Sequence, residues 1–433
     1  MHRRIAEIPI PAAQVAAIKE KMLNWSARFG ISLFLDSNGY EDKYGHYDCL
    51  LGAGAHKILL ADDATAFDSL HKFFEQNRDW LFGHFCYDLK NVLQPHLQSG
   101  HETRHGYRLM QFFVPEVVCT IARGECVLRV QALTADPQAI AEEIFNEEIQ
   151  DQKILSQQQP IFSARLSRSE YLERIARLKE HIRDGECYEI TYCNEAYAER
   201  VNISPRTIFS KLKALSPAPF AAFYQDEERT MICASPERFL SKHGFVIRSQ
   251  PIKGTARRSS DPAEDERLRL ELQTSEKEQA ENVMIVDLVR NDLARSCEVG
   301  SVQVDELFGN YRFPQVHQLI STISGTLSPG IPFTEAIRAA FPMGSMTGAP
   351  KHKVMQLIEE YELARRELFS GSVGYISPDG DFDFNVVIRS LFYNAATQYL
   401  SYQTGGAITW GSDPESEWEE IRLKAAAMEK VFP

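Results

Sequence analysis

Glu278-Gln-Ala-Glu-Asn-Val-Met-Ile-Val-Asp-Leu-Val-Arg-Asn-Asp-Leu293 lies inside a longer stretch, Pro262–Arg295, whose spacing predicts a helix. The segments on either side read differently. Upstream, Tyr188–Tyr192, Ala221–Tyr224, Thr230–Ala234 and Phe245–Gln250 are short runs with the composition of strands. Downstream, Gly371–Ser377, Phe384–Phe392 and Ala407–Trp410 repeat it, among helical patterns at Phe333–Ala340, Lys351–Tyr361 and Glu415–Lys430. So many strands exclude a helical bundle. The order also lacks the regular strand–helix alternation and the Gly-x-Gly-x-x-Gly turn of a nucleotide-binding α/β fold, which leaves an α+β fold.

Further out, Ser167–Asp184 predicts a helix with Ser at its cap, Tyr171, Ile175, Leu178 and Ile182 on one face, and Gly185 after its end. Residues 1–150 mix strands (Ile31–Asp36 before Ser37-Asn-Gly39, and Trp80–Tyr87) with helices (Ala64–Gln76 and Gln138–Glu148). The polar, Gln-rich stretch Ile149–Pro160 is the best linker, dividing the chain into a lobe at 1–155 and a larger part at 160–433. The 433 residues are 44% hydrophobic and 25% charged, enough to bury a sizeable core. The net charge of −13 disfavours nucleic acid or an anionic membrane as partner. Eight scattered cysteines without a C-x-x-C pair read as reduced thiols of a cytoplasmic protein. Neither a signal peptide nor an apolar run long enough to cross a membrane is expected.

Five local features carry chemistry. Glu278 and Glu281 are three apart on one helix, Glu417 and Glu420 three apart on another, so each pair shares a face. Four carboxylates together suit Mg²⁺, a hard cation that takes oxygen ligands; two solvated acidic faces are the alternative. In Gln250-Pro-Ile-Lys-Gly-Thr255, Lys253 follows a strand and precedes a glycine; burial there would lower its pKa and make it a nucleophile. Glu237, in Ala234-Ser-Pro-Glu-Arg238, would serve as a general acid if buried enough to stay protonated. Gly344-Ser-Met-Thr-Gly-Ala-Pro-Lys351 reads as a loop entering a helix with Pro350 in its first turn, a place for an anion. Gln403-Thr-Gly-Gly-Ala407 puts Gly405 and Gly406 after a strand, a bulge or a close approach to a ligand.

In this order the five features, with Val387-Ile-Arg-Ser390 and Ser416-Glu-x-x-Glu420 followed by Lys424, resemble the chorismate-utilising enzyme family over residues 165–430. The N-terminal part resembles it more loosely, through Ile31–Ser37 and Phe82–Leu89. The resemblance implies two large antiparallel β-sheets packed as a sandwich with helices outside, both halves of the chain contributing to one body, and a chorismate-binding catalytic domain in 160–433. Within that family the residue after Pro-Ile separates activities: members that form anthranilate carry Ala, and Lys is typical of members that aminate chorismate at C4 for 4-aminobenzoate and folate.

The roles this implies are as follows. Lys253 would add at C2 as the C4 hydroxyl leaves, and ammonia would then displace it while entering at C4. Glu237 would protonate the departing hydroxyl. Glu281 and Glu420 would hold Mg²⁺, with Glu278 and Glu417 holding its waters. Arg389 and Tyr375, with amides near Gly405 and Gly406, would bind the enolpyruvyl carboxylate; Thr255, Ser345, Thr347 and Lys424 would complete the pocket. Ammonia would come from a separate glutaminase subunit. His317 matches a family residue used for pyruvate elimination, which a C4-aminating member does not perform. Glu189 stands where Gln is usual and where water-adding members use Lys; a carboxylate there would repel the substrate unless paired or protonated. Leu35-Asp-Ser37 and Ser216-Pro-Ala-Pro219 fall where relatives carry a tryptophan pocket. The rival readings are an anthranilate-forming subunit, and a silent chorismate- or tryptophan-binding regulator.

Overall fold

Apolar side chains alternate along the central strands, and the two faces feed two different cores. Leu33 and Phe34, Tyr224 and Phe223, Met231 and Ile232, and Phe392 and Leu391 are neighbours in sequence that divide in this way. The two-residue period of a strand puts each pair on opposite faces. Leu33, Tyr224, Met231 and Phe392 share a core with Phe82, Phe85, Phe112, Leu240 and Phe384. Phe34, Phe223, Ile232 and Leu391 pack instead with residues of the helices Val15–Trp25, Pro137–Asn146, Pro205–Leu215 and Pro414–Glu429.

The computed structural model describes residues 2–94, 96–149, 159–313 and 316–432. Among them the strands pair antiparallel and join into one hydrogen-bonded network of 20. One run leads from Tyr47–Ala61 through Ile31–Asp36, Phe220–Asp226, Arg229–Ser235, Ser390–Asn394 and Tyr399–Thr409 to Glu189–Ala198. A second leads from Leu81–Phe85 through Ser372–Ile376, Phe382–Asn385, Arg238–His243 and Val246–Gln250 to Val316–Thr326. Met110–Ala122 belongs to both, pairing with Leu81–Phe85 near its start and with Tyr47–Ala61 along its length. The runs are the two layers of the sandwich, with the first core between them. The helices Ala66–Asn77, Glu276–Ala294 and Phe333–Ala340 add Phe67, Phe74, Ile285, Val289, Phe333 and Ile337 to that core.

The fold is thus the α+β sandwich expected from the sequence, and both parts of the chain build it. Ile31–Asp36 pairs with Phe220–Asp226, and Leu81–Phe85 with Ser372–Ile376, so each layer contains strands from before and after the Gln-rich stretch. Of the expected linker Ile149–Pro160, residues 150–158 lie outside the described residues. No helix among the described residues is long and apolar enough to cross a membrane.

Local expectations hold closely in several places. Ile31–Asp36 and Phe333–Ala340 have the bounds read from sequence, and the Ser167 cap is a full capping box with Glu170. Three differ. Pro262–Arg295 is two helices, Pro262–Thr274 and Glu276–Ala294, because Ser275 adopts an extended backbone and accepts from the Glu278 amide. Ser-x-x-Glu is a helix-start signature that outweighs the continuous pattern. Phe384–Phe392 is two strands, Phe382–Asn385 and Ser390–Asn394, separated by a turn in which Arg389 has a φ of 51°. Pro350 caps Lys351–Tyr361 from outside rather than standing in its first turn.

Candidate active site

Two corners and a bulge bring the signature residues together. Glu237 sits between the strands Arg229–Ser235 and Arg238–His243, where Pro236 turns the chain; its amide donates to Ser235 Oγ (3.2 Å) and its carbonyl accepts from the Val386 amide (3.0 Å). Lys253 follows Pro251 on the strand Ile252–Arg257. The register against Val316–Thr326 shifts between Ile252 and Thr255, and Gly254 takes a φ of 92°. This is a bulge of the kind that re-aims a side chain, and glycine is needed at its left-handed position. Glu189 opens the strand Glu189–Ala198, flanked by Ala349 on one side and Thr409 on the other.

Lys253 Nζ donates to Glu189 Oε1 at 2.6 Å, with Glu189 fully buried. Burial pulls the Lys253 ammonium down, but the charge and hydrogen bond of Glu189, with Glu281 and Glu237 beyond, carry it above its ordinary value. The expectation of a lysine depressed by burial is therefore corrected: its carboxylate neighbours outweigh the lost hydration. Glu237 accepts from Ser345 Oγ at 2.6 Å. Burial pushes the Glu237 carboxyl up to about 7, against the pull of Ser345, Lys253 and Arg389. The Arg389 guanidinium makes no hydrogen bond or ion pair among the described residues; burial lowers its pKa, which Glu237 opposes. A desolvated guanidinium without a partner is a site for an anion, above all a carboxylate.

The loop carrying Ser345 is stitched to the Glu189–Ala198 strand: Thr191 Oγ1 donates to the Ser345 carbonyl (3.0 Å) and the Thr191 amide to the Thr347 carbonyl (2.8 Å). Those bonds set Ser345 against Glu237.

The two glutamate pairs face each other across the helices Glu276–Ala294 and Pro414–Glu429. Lys277 Nζ lies 3.9 Å from Glu281 and 3.8 Å from Glu417, and Lys424 Nζ bonds Glu420 (2.7 Å) and the Gly405 carbonyl (2.8 Å). A side chain at Gly406 would stand 2.7 Å from Glu417 Oε2, so the strand passes directly beneath that carboxylate. Burial raises Glu281 to about 7 and raises Glu278 and Glu417. Glu420 lies below its ordinary range because Lys424 outweighs its burial.

No three His, Cys, Asp or Glu are gathered at metal-holding distance among the described residues. The donor set nonetheless fits a divalent hard cation. Among the described residues Glu281 Oε1 and Glu417 Oε2 are buried without a hydrogen-bond partner, and the Lys277 ammonium stands between the two helices, within 4 Å of both residues. Glu189, Glu237, Glu278, Glu281, Glu417 and Glu420 outnumber Lys253, Lys277, Lys424 and Arg389 by two.

Four residues expected here stand differently. Tyr375 faces Tyr47, Trp80 and Phe82 and lines a separate cavity of about 60 Å³ with Asp36, Ser37 and Pro219; its place on Ser372–Ile376 carries it away from Glu237. Thr347 is fully buried and its hydroxyl donates to the Met343 and Gly344 carbonyls. Thr255 is exposed beyond the bulge, with its hydroxyl 3.5 Å from Gln318. His317 is fully buried on the next strand, its Nε2 bonded to Asp265 (3.0 Å) and its Nδ1 without a partner. Arg258, the Ser259 amide and His317 hold Asp265 well below the carboxylate range.

Residues missed from sequence include Lys277, legible as the i, i+4 partner of Glu281, and Arg238. The Arg238 side chain is fully buried, grips Asp383 with two bonds of 2.9 Å and also bonds Asp42 and Gln250. Removing one side of such a group leaves buried charge unpaired, so Arg238→Met is expected to cost about 3–5 kcal/mol. Thermal unfolding reads this as a lowered midpoint, and an unchanged one would mean that the two aspartates are solvated.

The chain is 42% identical over 268 residues to a probable chloroplastic aminodeoxychorismate synthase of Oryza sativa subsp. japonica, covering 61% of this chain and 30% of that protein. It is 38% identical over 259 residues to aminodeoxychorismate synthase component 1 of Escherichia coli (strain K12), covering 60% and 56%. The matched part thus spans less than two thirds of either relative. The crystal structure of anthranilate synthase component I from Streptococcus pneumoniae TIGR4 superposes with a TM-score of 0.78 at 24% identity, over 90% of this chain and 93% of that one, which shows a shared fold. The profile of the chorismate binding enzymes matches residues 35–430, from the first strands of the sandwich to its last helix, and the chain belongs to that family.

Proposed function

We propose that the chain aminates chorismate at C4, giving 4-amino-4-deoxychorismate, with Lys253 as nucleophile and Glu237 as acid. The observation that carries this reading is the buried Lys253 ammonium coupled to a Glu237 carboxyl that stays protonated up to about 7, beside the unpartnered Arg389. A nucleophile, a proton donor and an anion clamp are what displacement of a ring hydroxyl requires. Glu237 gives its proton to the departing C4 hydroxyl, and Ser345 holds that carboxyl in place. Arg389 takes the enolpyruvyl carboxylate. Glu278, Glu281, Glu417 and Glu420 would hold Mg²⁺, which when bound would neutralise and polarise the ring carboxylate. Gly405, Gly406 and Lys424 border this space, and Thr347 shapes its loop through the backbone. Ammonia comes from a separate glutaminase subunit.

Purified chain incubated with chorismate, Mg²⁺ and ammonium tests the reading. Aminodeoxychorismate without pyruvate is expected, whereas anthranilate with pyruvate would assign it to the other amination. The cavity holding Asp36, Ser37 and Pro219 is where tryptophan would bind, and calorimetric titration showing no heat would remove that idea.

Mg²⁺ is expected to raise the thermal midpoint at pH 8 more than at pH 5.5. Glu281 is raised above its unfolded value, so in the metal-free chain stability falls as pH climbs from about 4.5 through about 7 and its buried charge forms. The cation offsets that loss only where the carboxylates are ionised. An equal shift at both pH values would place the ion elsewhere.

A further inference from the structure

We propose that Glu189 is the positioning residue for Lys253: it aims the ammonium into the space between Glu237 and Glu281, and its Oε1, the oxygen Lys253 already bonds, receives the proton that Lys253 sheds before bonding to the ring. This rests on the lysine-nucleophile reading above. Three observations carry it. Lys253 Nζ makes one hydrogen bond among the described residues, the 2.6 Å bond to Glu189 Oε1, and so keeps two N–H groups for the site. Among the described residues Glu189 Oε2 is buried without a hydrogen-bond partner, a costly arrangement for a merely structural ion pair, which would satisfy both oxygens. The carboxylate is also rigidly based, because Glu189 pairs on both sides, with Ala349 and with Thr409.

The step balances. Lys253 passes one proton to Glu189, and the freed electron pair forms the bond to C2. The ring double bonds shift from C1=C2 and C5=C6 to C1=C6 and C4=C5, and the C4 hydroxyl leaves as water with the proton of Glu237. Ammonia then bonds to C4, the double bonds return, and the lysine nitrogen leaves C2. Glu189 returns its proton to that lysine, and the new ammonium at C4 restores the proton of Glu237. Chorismate and ammonia have become aminodeoxychorismate and water, and neither carboxyl has changed over the cycle.

The pairing also accounts for a carboxylate at a place where it would otherwise repel a dianionic substrate. Its charge is spent on Lys253 and lies behind it, seen from the ring. With the lysine so held, its nitrogen, once it has passed a proton to Glu189, rather than water is the group presented at C2.

The test combines turnover with a reactivity measurement that needs no turnover. Glu189→Gln keeps the shape and one acceptor but has no charge and takes no proton. Amination of chorismate with Mg²⁺ and ammonium is expected to fall about 100-fold in kcat with little change in KM. Acylation of Lys253 by acetic anhydride at pH 7.5, read by peptide mass spectrometry against surface lysines, is expected to rise about 10-fold, because the amine is no longer held as ammonium. Glu189→Asp is expected to restore protection from acylation and part of the rate. Damage to the fold would also expose the buried lysine and abolish turnover, so an unchanged thermal midpoint in Glu189→Gln and the partial recovery in Glu189→Asp belong to the expected result. Wild-type turnover in Glu189→Gln, or acylation of Lys253 unchanged in it, would overturn the proposal. Failure of the underlying reading looks different: Lys253→Ala would retain full C4 amination.

Discussion

Lys253→Ala is expected to lower C4 amination by roughly 10⁴-fold or more, the scale on which enzymes lose turnover when a covalent nucleophile is removed. The ring, the acid and the metal carboxylates stay in place, so slow addition of ammonia at C2 is the activity expected to remain. The substitution also strands the fully buried Glu189, and breaking a buried pair costs about 3–5 kcal/mol. The double variant Lys253→Ala/Glu189→Gln separates the two effects. Its thermal midpoint should recover toward wild type while C4 amination stays absent. Recovery of C4 product along with stability would show that the lysine acts only through the fold.

Glu237→Gln is expected to lower kcat/KM by about 10²–10⁴-fold, the usual worth of a positioned acid. Glutamine still accepts the Ser345 hydroxyl bond, so the loop should keep its place. The pH profile carries the sharper test. Glu237 is pushed up to about 7 by burial, so the acid form is present below that pH and lost above it. Wild-type kcat/KM at saturating Mg²⁺ should therefore fall as pH rises through about 7, and the Gln variant should lack that limb. A limb that persists in Glu237→Gln would belong to another group.

The paired glutamates show why spacing alone was insufficient. Glu at i and i+3 reads equally as a solvated face or a ligand pair, and neither helix is strongly amphipathic by its pattern. Their burial comes from the way Glu276–Ala294 and Pro414–Glu429 pack against the sheets, which brings Lys277 of one helix within 3.8 Å of Glu417 of the other. Tyr375 illustrates the reverse. Its strand, read from sequence as Gly371–Ser377, was legible, but the layer it belongs to carries it into the Asp36 cavity. Lys253 was found in sequence with the wrong electrostatic sign, because the deciding carboxylate is 64 residues away in the chain.

By itself the sequence determined the fold class, most element positions, the order of the signature motifs and the residue types able to do the chemistry. Those follow from local periodicity, capping and turn chemistry, and from the motifs themselves. Only the tertiary structure decided which of those residues meet and in what state of charge. Desolvation and charge coupling act through space: Glu189 sets Lys253, burial sets Glu237 and Glu281, and the bulge at Gly254 aims the lysine among them.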